Sequence, residues 1–118
     1  MIESIDAPEG VLAFRAVGEV RAADYDEVLR PALEAACEHG KLRMVYVLGP
    51  EFDSYSAGAA LEDAKLGLWH PGSWERVAIV TSHDALRHAV KAFGWMIPGD
   101  VAVFEADALD EALAWAAR

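Results

Sequence analysis

Hydrophobic and polar positions along this chain switch repeatedly between the period of a strand and the period of a helix. The run Leu42-Arg43-Met44-Val45-Tyr46-Val47-Leu48 has the length of a strand. Gly49-Pro50 ends it, because proline has no N–H to continue a ladder and drives the residue before it out of the helical region. A polar loop from Phe52 to Ser56 follows. From Ala57 to Trp69, apolar residues at 57, 60, 61, 64 and 68 then recur at helical spacing. In an open α/β sheet, a strand that feeds a loop and then a helix is where ligands and regulatory chemistry gather, at the carboxyl end of the strand.

The flanking segments read in the same way. Ile2 to Ile5 and Val11 to Val17 are strands joined by the turn Ala7-Pro8-Glu9-Gly10, a hairpin that makes strand 1 antiparallel. A helix follows, with Asp24, Asp26 and Glu27 near its positive end and Tyr25, Val28, Leu29, Ala32, Leu33, Ala36 and Cys37 as its apolar stripe. Pro31 falls inside that stripe and should kink the helix unless the helix begins near it. Val77-Ala78-Ile79-Val80-Thr81 reads as a strand buried on both faces. Ser82 or Asp84 then caps a helix with Ala85, Leu86, Ala89, Val90 and Phe93 inward. Val101 to Phe104 is the last strand, and Leu109, Ala112, Leu113 and Ala116 line one side of the last helix. The order β-β-α-β-α-β-α-β-α predicts an α/β fold with a single mixed sheet of about five strands, whose helical connections are right-handed crossovers between parallel strands.

Length and charge narrow the function classes. The 118 residues, 54% of them hydrophobic, fit one domain spanning 1–118. A net charge of −10 argues against nucleic acid as a partner, since phosphate binding needs clustered Lys and Arg. It would also repel an anionic bilayer at long range, while leaving open peripheral contact through a local apolar patch. Cys37 is the single cysteine, which leaves no intrachain disulfide and no multi-cysteine metal site. The amino terminus lacks a basic region and a long apolar stretch, so a cytoplasmic protein is expected.

Several segments together resemble the SpoIIAA-like family: Asp24-Tyr25 with Leu29 and Pro31 to Leu33, then Glu51-Phe52-Asp53 followed by Leu61-Glu62-Asp63 and Leu66-Gly67. The strand Arg76-Val77-Ala78-Ile79-Val80 and the ending Val103-Phe104 with Glu111-Ala112-Leu113-Ala114-Trp115 complete the likeness. The resemblance implies the STAS fold of anti-sigma-factor antagonists and a likeness to the lipid-carrying CRAL-TRIO domains, which hold hydrophobic molecules behind a movable helix. It implies a fold more directly than a function. In phosphorylatable STAS proteins the loop before the second helix carries an Asp-Ser-Ser or similar sequence; here the matching positions read Asp53-Ser54-Tyr55-Ser56-Ala57-Gly58. A phosphate on Ser56 would meet free helix N–H groups, which makes Ser56, and next Ser54, candidates for phosphorylation. Tyr55 interrupts the serine pair, however, and a helix N-cap explains either serine without phosphate.

Other chemistry is thin. His39, His70, His83 and His88 show no metal-ligand spacing, and Gly58 and Gly67 form no phosphate loop, so neither metal nor cofactor is expected. Asp53, Glu62 and Asp63 lack a partner nucleophile and read as solvated charges. The surplus is apolar. Tyr55, Ala59, Leu66 and Trp69 form a second stripe on a helix that needs only one, and Trp74, Trp95, Met96 and Ile97 follow. Clustered apolar surface of this kind marks a ligand pocket, a homodimer interface or a membrane contact. The expectation is a non-enzymatic module that binds a hydrophobic small molecule, lipid or protein partner between the second and third helices, through Tyr55, Leu66, Trp69, Trp74, Trp95, Met96 and Ile97. The alternative is a phosphoserine-switched regulator resembling anti-sigma-factor antagonists.

Overall fold

The computed structural model describes residues 1–68, 73–96 and 99–118, with the side chains of all of these except 64, 66–68, 93 and 96. In chain order the elements are β1 (Ile2–Ser4), β2 (Leu12–Ala16), β3 (Gly18–Val20), α1 (Ala22–Asp24), a π-helical turn (Tyr25–Leu29), α2 (Arg30–Cys37), β4 (Leu42–Leu48) and β5 (Phe52–Tyr55). Then come α3 (Ala57–Leu68), β6 (Trp74–Thr81), α4 (Asp84–Phe93), a 3₁₀ turn (Gly94–Met96), β7 (Asp100–Phe104) and α5 (Leu109–Ala117). Five strands form one sheet in the order β1-β2-β4-β6-β7. β1 is antiparallel to β2, and the other neighbours are parallel.

Alternation along the strands divides the core into two layers. Phe14, Met44, Tyr46 and Val77 face the layer that also holds Tyr25, Leu29, Leu33 and Ala59 from the helices. Ala13, Val45, Val47, Ala78 and Val80 face the opposite layer, where Ala112 and Ala116 of α5 close over them. The strand register aligns Phe14, Tyr46, Ile79 and Val103 in one row across the first of these faces. Burial falls along that row: Phe14 and Tyr46 are buried, whereas Ile79 and Val103 are only half-buried.

Two arginines on neighbouring strands hold the carboxyl end of α5. Arg76 Nη1 donates to the Trp115 carbonyl at 2.6 Å, and its guanidinium lies 5.1 Å from the centre of the Trp115 ring. Arg43 Nη1 donates to the carbonyls of Ala116 (3.0 Å) and Arg118, and the same side chain pairs with Glu75. The last carbonyls of a helix lack partners within it, and cations complement the negative end of its dipole.

The structure departs from the sequence expectations in four places. The stretch 52–55 is not a loop: β5 pairs in parallel with β3 to form a second, two-stranded sheet. Pairing this brief leaves no periodicity to read. At Pro31 the second of the two expectations holds, since α2 begins beside it: the π turn just ahead sends the Arg30 N–H to the Tyr25 carbonyl and seats the proline in the first turn of α2, where its missing N–H costs little. Trp74 is no surface residue. At 5% exposure it belongs to the first core layer, with β6 beginning at it and pairing there with Leu42. The faces of α3 are exchanged, with Ala59 fully buried and Leu61, placed inward by the periodicity, 58% exposed. On α4, Ala85 and Ala89 are exposed while Leu86 and Val90 are half-buried, and the residue at its cap is His83, since Ser82 Oγ instead bonds Glu105 and the Ala106 N–H.

Alanines at 112 and 116 let α5 lie close on the sheet against Val45 and Ala78, which leaves no volume for a longer side chain. Ala112→Leu is therefore expected to lower the unfolding free energy by about 1–3 kcal/mol in urea denaturation, with the far-ultraviolet spectrum unchanged.

Candidate functional site

Three tyrosine hydroxyls and one carboxylate from four different elements meet beneath α3. Tyr25 comes from the π turn, Tyr46 from the middle of β4, Tyr55 from the end of β5 and Asp63 from α3 itself. The Tyr25 hydroxyl donates to Asp63 Oδ1 at 2.8 Å. The Tyr46 hydroxyl lies 3.5 Å from that of Tyr25 and accepts from that of Tyr55 at 3.4 Å. Contacts of this length are long for O–H···O, so the Tyr46 oxygen is only loosely engaged. Around the cluster the layer is apolar, with Val28, Phe52, Ile79 and Leu86 packed against its buried members.

Burial drives the electrostatics. It raises the phenols of Tyr25, Tyr46 and Tyr55 above the ordinary tyrosine range, and the charge of Asp63 raises Tyr25 further. All three therefore stay protonated across the physiological range and act as neutral hydrogen-bonding groups. Asp63 stands at the rim with an exposed outer edge, yet the protein crowding its carboxyl raises its pKa, against the opposing pull of the Tyr25 hydrogen bond.

Polar ties position α3 above this cluster. Arg30 Nη2 bonds Glu62 Oε2 at 2.7 Å, linking α3 to α2. The Ser56 N–H donates to the Val20 carbonyl at 2.8 Å, and Ser56 Oγ accepts the Ala59 N–H at 3.1 Å, which caps the first turn of the helix. Gly58 lies against Ala22 so closely that a methyl group there would come within 3.3 Å of the Ala22 Cβ. Glu62 and Asp63, expected as solvated charges, are thus both engaged in bonds to the first helical passage.

The sequence-predicted residues are scattered. Tyr55 joins the hydroxyl cluster, Trp74 is in the core, and Trp95 projects into solvent at 80% exposure. Trp69 and Ile97 lie outside the described residues; Leu66 and Met96 belong to α3 and the 3₁₀ turn, with side chains outside the description. Ser56 is the helix cap, and Ser54 is exposed on β5. Sequence reasoning missed Tyr25, Tyr46 and Asp63. The available signal was a phenol placed twice in otherwise aliphatic stripes, since a buried tyrosine hydroxyl calls for a polar partner. Among the described residues, no three or more of His, Cys, Asp and Glu are grouped so as to hold a metal ion. No described helix is long and apolar enough to cross a membrane.

Among the described residues, a mixed five-stranded sheet with one antiparallel edge strand, three helical crossovers on one face and α5 on the other defines a STAS-type α/β domain. Within that class the chain belongs to the SpoIIAA-like family, whose profile matches residues 11–117. It is similar to the crystal structure of an uncharacterised protein from the DUF3478 family with a SpoIIAA-like fold from Shewanella loihica PV-4. The two are 32% identical, the match covers 94% of this chain and 91% of the other, and the TM-score is 0.73. No curated protein matches the chain.

Two outcomes follow from the site. Because the folded state raises the Asp63 pKa, the native protein binds more protons than the unfolded chain once pH exceeds the ordinary carboxylate value, so this group's contribution to stability falls as pH rises until its folded pKa is passed. Asp63→Asn is expected to remove that component, its stability relative to wild type improving from about pH 4 upward and then levelling, as followed by urea unfolding at each pH. Ser56→Ala should cost about 0.5–2 kcal/mol through loss of the cap. A neutral result in the same unfolding measurement would show that the Ala59 N–H finds another partner.

Proposed function

We propose that this SpoIIAA-like domain is a non-catalytic binding module for a small amphipathic molecule. The apolar part of the ligand lies on the sheet face between α3 and α4, the second and third crossover helices, and its polar end reaches the Tyr25–Tyr46–Tyr55–Asp63 cluster. One observation carries this reading: neutral hydroxyls with hydrogen-bonding capacity to spare converge at 3.4–3.5 Å inside an apolar layer. Beside them, burial falls off from Tyr46 to Ile79. A pocket that is apolar over most of its wall and carries a few convergent polar groups is the common design of a small-molecule site. Nothing in the cluster is an activated nucleophile, which favours binding over chemistry.

The test is displacement of the apolar fluorophore N-phenyl-1-naphthylamine by dodecanol. Wild-type protein is expected to take up the dye saturably and to release it to the alcohol. Tyr46→Phe should retain the dye and bind dodecanol about 2–10-fold more weakly, the worth of one hydrogen bond of about 0.5–1.5 kcal/mol. Absence of saturable uptake, or equal displacement from both proteins, would remove the reading.

A further inference from the structure

At the far margin of the sheet, we propose that the groove between α4 and the outer edge of β7 receives an extended acidic segment of a partner protein, added as a further strand beside β7. β7 pairs with β6 on one side, and among the described residues no strand pairs with its other side. Its sequence, Asp-Val-Ala-Val-Phe, contains neither the proline nor the lysine that commonly blocks an open edge. A groove of about 540 Å³ runs along it, with Val101 and Val103 on the strand side.

The opposite wall carries Arg87, Lys91 and Trp95, four residues apart each time. Arg87 pairs with Glu105 at 3.3 Å, just past one end of β7. Gly94 lies against Val101 near the other end, where a methyl group on it would sit 3.5 Å from Val101 Cγ1, so the row follows the whole strand. Four α-helical residues advance about 6 Å, the step from Arg87 to Lys91, and Trp95 follows in the 3₁₀ turn that ends α4. Two strand residues advance about 6.6 Å, and they are the pair that faces one side of a sheet. The row therefore meets alternate side chains of an added strand, one to one.

The chemistry of the three positions then writes the ligand. Lys91 is exposed and makes no ion pair or hydrogen bond among the described residues, in a chain whose net charge is −10. Arg87 keeps donors beyond those used on the Thr81 carbonyl and Glu105. Trp95 spends its indole N–H on the Ala92 carbonyl at 2.9 Å and leaves its ring open to solvent. Asp100, at the Trp95 end of the groove, disfavours a third acid there. The segment that fits has acidic residues at two alternate positions and an apolar residue at the next. Main-chain bonds to β7 supply affinity, and the alternate side chains supply selectivity.

Fluorescence anisotropy with the full chain tests this, using a fluorescein-labelled peptide of valines and threonines that carries aspartate at its second and fourth positions and leucine at its sixth. The reversed order covers the other strand direction. One of the two peptides is expected to bind, and shifting the three residues by one position, which turns them to the opposite face, should weaken binding by about tenfold or more. Lys91→Glu should cause a comparable loss and favour a peptide with lysine in place of the aspartates. Equal binding of the shifted peptide, no binding by either order, or indifference to Lys91→Glu would overturn the proposal. So would a doubled mass of the chain alone in sedimentation that Lys91→Glu abolishes, which would give this edge to a second copy instead. None of these measurements depends on the hydroxyl cluster.

Discussion

A sheet whose inner strands run parallel must be covered on both faces, and the two faces of this domain meet that requirement by different physical means. On one side a single helix suffices, because alanines let α5 approach closely and two strand arginines secure its end. The other side has three crossovers to accommodate, and the central one is held as much by polar bonds as by packing. α3 offers the buried Ala59 to the core and turns Leu61 to solvent, while Glu62 and Asp63 reach Arg30 and Tyr25. A helix fastened in this way can cover polar groups beneath it, and the hydroxyl cluster depends on that cover.

The same arrangement places the hydroxyl cluster over the middle of the sheet. Tyr46 stands in the central strand, at the point where burial begins to decline toward the β7 side. Burial holds its hydroxyl neutral, and loose contacts to two other phenols leave it bonding capacity. A cluster of charges would have required tight pairing to survive in that position. Neutral phenols tolerate incomplete satisfaction better, which lets the cluster persist with contacts as long as 3.4–3.5 Å.

Much of the architecture was legible in the sequence, and the reasons are local. The runs 42–48 and 77–81 are long, apolar and bounded by turn residues, so their burial, their parallel pairing and the helices between them follow from period and length. The hairpin at the start and the apolar side of α5, Leu109, Ala112, Leu113 and Ala116, were equally plain. The β3–β5 pair was not, since three residues paired to four, half of them polar, resemble any loop. The inward face of α3 does not follow from hydrophobicity alone: Leu61 is more hydrophobic than Ala59, but the bonds of Glu62 and Asp63 fix the helix's rotation and put Ala59 inward. At the site, Tyr55 was picked out for its apolar ring, whereas its hydroxyl is what joins it to Tyr46. The partners that complete the cluster come from segments 9, 21 and 38 residues apart in pairwise contact, a convergence that no single stretch of sequence displays.

The π turn that admits Pro31 also sets the phase of the helix it interrupts. Tyr25, Leu29 and Leu33 are all essentially fully buried and follow one another at steps of four. In an α-helix four residues overshoot a full revolution by about 40°, so three such residues would fan out across the surface. The wider π turn needs more than four residues to close, and a four-residue step within it falls short of a revolution. The shortfall from Tyr25 to Leu29 and the overshoot from Leu29 to Leu33 are opposite in sign and largely cancel. A single extra residue in the winding thus aligns three large side chains in one straight seam and aims the phenol of the first at α3. Taking that residue out would not merely shorten the helix; it would rotate the seam's leading member away from Asp63.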